Sequence, residues 1–154
     1  MKSELLIYDS YLKMIKNSVG TKMFRNLYLK QGNRKIDVAQ GGNLSCAFFV
    51  SNILLIWGLI SEGHATVEAT SKDMEKSGWK KFVPPYGGVK PGDVIVWEKK
   101  KMVNGNFHFH NGFYIGNKKA ISNDSKKGTP VIHSWDYNGK RKIIAIYTHP
   151  KLKA

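Results

Sequence analysis

The chain has 154 residues, 42% hydrophobic and 12% aromatic, enough to bury one core and too short to suggest a second domain. Lys and Arg number 25 against 11 Asp and Glu, a formal net charge of +14, which favours polyanionic surroundings such as nucleic acid, anionic membrane or bacterial cell-wall polymers. A single cysteine excludes an internal disulfide framework, and the scattered charges lack the long runs that mark nucleic-acid tails.

Residues Leu5, Leu6, Tyr8, Tyr11, Leu12 and Ile15 recur at spacings of three and four, which predicts an amphipathic helix ending near Gly20. The same segment carries Lys2, Glu4 and Asp9 and no apolar core before a small-residue cleavage site, so it does not read as a signal peptide. The apolar run Ile53 to Ile60 is too short to span a bilayer. We therefore expect a soluble monomer without a membrane span, with a secreted or wall-associated location favoured.

From Met23 to Val38 the apolar period shortens to two, with Phe24, Leu27 and Leu29 before Gln31-Gly32-Asn33 and Ile36 and Val38 after it. That is a hairpin signal. Gln40-Gly41-Gly42 then leads to Asn43 and Ser45, either of which can cap a helix that opens at Cys46. Phe48, Phe49, Val50, Ile53, Leu54, Ile56, Trp57 and Ile60 surround its axis, so the helix is expected to be buried on all sides. Cys46 would sit in its first turn, where the helix field favours thiolate over thiol.

A third helix is expected from a Thr66 cap through Val67, Met74 and Lys76 to Gly78, followed by an aromatic loop with Trp79, Phe82, Pro84, Pro85 and Tyr86. Lys90-Pro91-Gly92-Asp93 reads as a turn. Beyond it an antiparallel meander is predicted, with strands at about 93–102, 106–116, 119–123, 130–137 and 140–148. Asn104-Gly105, Asn117-Lys118 and Asn138-Gly139 supply the turns. Helices first and an antiparallel sheet after them make an α+β domain covering 1–154.

A cysteine nucleophile needs a histidine base and a third polar group to fix the imidazole. Among the five histidines, His64 and His149 are expected to be solvated surface residues. His108 and His110 share one face of a strand, yet no third ligand at a characteristic spacing accompanies them, so neither a metal nor another cofactor is implied.

The order of three short segments resembles the NlpC and CHAP families of papain-like cell-wall peptidases and amidases over about residues 35–148. They are Cys46-Ala47-Phe48-Phe49-Val50, Pro91-Gly92-Asp93-Val94-Ile95-Val96-Trp97 and His110-Asn111-Gly112-Phe113-Tyr114-Ile115-Gly116. The resemblance implies a papain-like fold in which the Cys-bearing helix packs on the C-terminal sheet, residues 1–34 adding an N-terminal helix and hairpin strand. It also implies Cys46 as nucleophile and His110 as general base.

His110 is preferred to His108 because Gly112 and Gly116 leave open backbone beside it. For the third member, family spacing points to Ser122 or Asn123, where relatives carry His. Asn123 is chemically the better choice, with His133 the runner-up and Asp136 a more distant alternative. Gln40, six residues before Cys46 as in papain, is a candidate oxyanion donor, or else a polar residue closing the hairpin. Ser45-Cys46-Ala47 departs from the usual Asp-Cys-Ser of the NlpC pattern.

The expected function is hydrolysis of amide bonds in peptidoglycan peptides, with anionic wall polymers as partners and no specific nucleic acid. One alternative is a papain-like deamidase or acyltransferase, such as a toxin, acting on protein or lipid amides. Another is a non-catalytic basic binding module in which Trp and Tyr among the lysines support stacking.

Overall fold

Four consecutive residues, Val94, Ile95, Val96 and Trp97, are buried, so the strand that carries them has apolar neighbours on both faces. It is the centre of the fold. The computed structural model describes residues 1–102 and 104–154; Val103, in the expected turn around Asn104-Gly105, lies outside the described residues. In chain order the elements are α1 (Ile7–Asn17), β1 (Tyr28–Gln31), β2 (Arg34–Asp37), a 3-10 turn at Gln40–Gly42, α2 (Cys46–Ile56) and α3 (Val67–Lys76). They are followed by β3 (Lys80–Phe82), β4 (Val94–Lys101), β5 (Phe107–Gly116), β6 (Lys119–Asp124), β7 (Thr129–Ser134) and β8 (Ile143–Thr148).

Strands β3 to β8 form one antiparallel sheet in the order β3-β8-β4-β5-β6-β7, and β1 and β2 form a separate hairpin. The expected meander holds from β4 to β7. Strand β8 then returns to pair with β4 on the side away from β5, and β3, in what the sequence reads as an aromatic loop, extends that edge. The molecule is an α+β domain. Among the described residues, no helix is long and apolar enough to cross a membrane.

Strand alternation divides the sheet's side chains into two apolar sets. Val94, Val96, Phe113, Ile121, Ala145 and Tyr147 join the cluster that contains Tyr11 and Ile15 of α1, Phe49 and Leu54 of α2 and Met74 of α3. Phe49 meets Phe113 edge-on with ring centres 5.4 Å apart, and Phe24 at 5.3 Å. Ile95, Trp97, Ala120, Ile143 and Ile146 make the other set, packed with Tyr86, Tyr114, Trp135 and Tyr137.

The Pro91-Gly92-Asp93 turn is fixed from both sides. Tyr8 and Tyr11 donate their hydroxyls to the Pro91 and Gly92 carbonyls, each at 2.7 Å, which ties α1 to the start of β4. Gly92 has φ +94°, and a Cβ there would lie 2.8 Å from Cε1 of Tyr11, so glycine is required by backbone and by space.

Two expectations about α2 need correction. Its C-terminal end is not enclosed: Leu55 and Ile56 are 38% and 56% exposed, because α1 covers only part of it. At the other end Ser45 occupies the N-cap but its side chain makes no capping hydrogen bond, and the Asn43 amide turns to Gln40 instead. By contrast, Thr66 caps α3 by accepting from the Ala69 N–H at 3.2 Å, as its sequence predicts.

His64 and His149 are likewise not solvated. His64 lies 2.7 Å from an Asp73 oxygen, and His149 is buried against Trp79 with Nε2 2.9 Å from the Ser77 carbonyl. Both staple α3 to the loops around it.

Candidate functional site

The β5–β6 ladder runs from Gly116–Lys119 to Phe113–Ile121 and stops there, while β6 goes on pairing with β7 as far as Asp124–Thr129. Beyond Phe113 the two strands part from the ladder, although Gly112 still rests against Ile121 and Ser122. The backbone N–H groups of Asn111, outside the β5–β6 ladder, and of Cys46 and Ala47, which Ser45 does not cap, favour the thiolate of Cys46.

At this end of the sheet a cavity of about 170 Å³ is lined by Cys46, His108, His110, Asn123, Tyr137 and Arg141, among others. Cys46 and His110 therefore face one space, although no hydrogen bond joins them directly among the described residues. A larger apolar groove of about 710 Å³ runs between α1 and the C-terminal half of α2, lined by Met14, Phe24, Ile53 and Ile56 among others. It is lined by no cysteine or histidine and is a separate surface.

The His110 ring is held by a chain of hydrogen bonds whose direction can be derived. His133 Nδ1 lies 2.7 Å from the Ser134 carbonyl, which only accepts, so Nδ1 carries the proton. Burial pushes the His133 pKa down, so the ring is neutral and its Nε2 is an acceptor. Ser122 Oγ, 2.6 Å away, must donate its one proton to that nitrogen. His110 Nε2, 2.9 Å from the same oxygen, must then be the donor, and the Tyr137 hydroxyl at 3.0 Å donates as well. His110 is thereby fixed as the Nε2–H tautomer with a bare lone pair on Nδ1, the arrangement a general base requires.

Packing holds the same chain in place. Trp97 stacks on His110 with ring centres 5.2 Å apart and donates its Nε1–H to the Trp135 carbonyl at 2.7 Å. His133 stacks on Tyr137 at 4.1 Å.

Electrostatics set a neutral resting pair. Burial pushes the Cys46 thiol up, outweighing the N–H groups of Asn111, Ala47 and Cys46 and the Arg141 charge that pull it down. Burial, then Arg141 and His133, hold His110 well below the usual imidazole range. The depressed thiol expected from a helix N-terminus is thus reversed by desolvation. Tyr137 is pushed up to about 12 by burial and stays a donor.

The sequence-derived candidates divide accordingly. Cys46, His110, Ser122 and His133 come together. Asn123, expected to orient the imidazole, does not touch it: it is one residue out of phase, and its Nδ2–H donates to the Gly42 carbonyl at 2.7 Å. It anchors the turn before Cys46, where a Cβ on Gly42 would come 2.5 Å from Gly128 Cα. Gln40 is exposed, outside the cavity, with its Oε1 3.5 Å from the Asn43 amide, so it is not in position to donate to an oxyanion. Asp136 accepts from the Ser134 hydroxyl.

Gly112 serves a purpose other than open backbone: a Cβ there would lie 2.6 Å from the Ile121 carbonyl oxygen and 2.7 Å from Ser122 Cβ. Its absence lets Ser122 and Trp97 close on His110. Tyr137 and Arg141 were missed by sequence reasoning. The Asn138-Gly139 turn signal lies between them, but it does not indicate which side chains face the sheet.

Among the described residues, no three His, Cys, Asp or Glu side chains gather as a metal-binding group. Comparison with known proteins finds no matching family model and no matching curated protein.

Proposed function

We propose that the chain is a papain-like cysteine hydrolase that cleaves peptide amides of the peptidoglycan type, with Cys46 as nucleophile and His110 as general base. One observation carries the reading: Ser134, His133 and Ser122 fix His110 in the tautomer whose free Nδ1 can take a proton in the cavity that Cys46 lines. The motif order that resembles the NlpC and CHAP families supports it, as does the +14 charge, which would hold such an enzyme on an anionic wall.

In this mechanism the Cys46 proton passes to His110 Nδ1 as Sγ adds to the amide carbonyl carbon. The negative oxygen is met by the free N–H groups at the tip of α2. Imidazolium returns the proton to the leaving amine as the C–N bond breaks, giving a thioester. Water, deprotonated by His110, then adds to the thioester, and the released thiol recovers its proton. Ser122 and His133 act through His110 as positioning residues.

The test is Cys46→Ala against purified wall fragments, with new amine termini read by mass spectrometry. The variant should melt like the parent and release none. Undiminished release would refute the assignment.

A further inference from the structure

We propose that Arg141 anchors a carboxylate of the substrate, so that the amides cut at Cys46 belong to acidic peptides; this rests on the hydrolase reading above. Arg141 stands in the connection between β7 and β8 and lines the cavity with Cys46 and His110. Two of its five donors are used on backbone: Nε–H to the Glu98 carbonyl and an Nη2–H to the His108 carbonyl, each at 3.1 Å. Those bonds hold the guanidinium plane rigid and leave three N–H groups unused.

A half-buried cation ordinarily has a counter-charge. Among the described residues Arg141 has none within ion-pair distance; the pairs found are His64–Asp73 and Lys90–Asp93. Glu98 attracts Arg141 from beyond ion-pair distance. Its Oε1 accepts from the Lys142 N–H at 2.9 Å, while Asp124, on the cavity wall, accepts from the N–H groups of Lys126 and Lys127.

Two more polar atoms of residues on that wall are buried without partners among the described residues, His108 Nε2 and Asn123 Oδ1. Buried polar groups are nearly always satisfied. A carboxylate received by the Arg141 fork, on a peptide whose amides reach the other two, would supply what is missing. Stapling the irregular β4–β5 pairing through Glu98 and His108 would account for two of the arginine's bonds but not for the N–H groups it leaves unused beside the cavity.

The probe pair is L-Ala-γ-D-Glu-L-Lys-D-Ala and the same peptide with both carboxylates converted to amides. Calorimetry on the Cys46→Ala chain should give at least about tenfold tighter binding of the acidic peptide, the scale of a charge-assisted hydrogen bond. Adding Arg141→Gln should bring that ratio to about one, and Arg141→Lys, which keeps the charge but not the fork, should restore part of it. Equal affinity for the two peptides, or a preference that survives Arg141→Gln, overturns the proposal. Hydrolysis by the parent chain separates the two readings. Preferential binding without any cleavage would end the hydrolase assignment and leave the anchor standing, whereas cleavage of both peptides at equal kcat/KM would do the reverse.

Discussion

The two faces of the sheet are built from the same strands and do different work. Toward the helices, Phe113 and Ile121 project into an apolar core with Phe49 and Tyr11. On the other face the alternate residues His110 and Ser122 meet His133, Tyr137 and Trp97 in a chain whose every proton is assigned. The first face needs volume and shape; the second needs direction, because a reversed hydrogen bond would turn the base into a donor. Their meeting point is the end of the β5–β6 ladder, at the cavity that Cys46 of α2 and His110 of β5 both line.

This division can be broken experimentally, and the sharpest cut is His110→Ala. Loss of a general base should lower kcat by about 10²- to 10⁴-fold while the melting temperature stays near that of the parent. A variant that kept its rate would move the chemistry off that face. The converse is Phe49→Ala, which removes a fully buried ring from the helical core and should cost about 3–5 kcal/mol in denaturant titration. Molecules still folded should turn over at nearly the parental rate.

Ser122→Ala tests the relay itself. It leaves two imidazoles without their shared partner and lets His110 choose its tautomer, so kcat should fall by about 10- to 100-fold with KM little changed. A change confined to KM would show that Ser122 contacts substrate instead.

The smallest expected effect is on stability against pH. His110 and His133 are held below the imidazole value of 6.5 by burial, so the unfolded chain binds more protons than the folded one as pH falls past that value. Their contribution is complete above about pH 7 and declines progressively in acid. Asp37 and Asp136, shifted down from 3.8, contribute above that value and lose their share only at lower pH, so the two groups are separable in a melting series. Replacing His133 with Gln should flatten the slope below about pH 6.5; an unchanged slope would mean that folding does not lower the pKa of the ring.

Much of the frame is legible in the sequence because its signals are local. Thr66 caps α3, alternation marks β4 and β5, and Asn117-Lys118 turns the chain with both residues at positive φ. The site was legible only in part, because its decisive steps depend on phase and on distance along the chain. Choosing Asn123 over Ser122 follows chemical preference, yet a strand exposes alternate residues to opposite faces, and register puts Ser122 on the His110 side. The return of β8 to β4, which carries Arg141 to the cavity, rests on pairings no local pattern announces.

The parting of β5 from β6 has one more consequence. The space in front of the thiol is framed by where strands begin and finish: Met102 after β4, His108 near the start of β5, Asp124 at the close of β6 and Arg141 just ahead of β8. A chain arriving there meets those termini and the stretch of β5 that β6 leaves unpaired, residues 107–112, where backbone pairing would grip any peptide alike. Discrimination among peptides is therefore left to side chains and to the charges they carry.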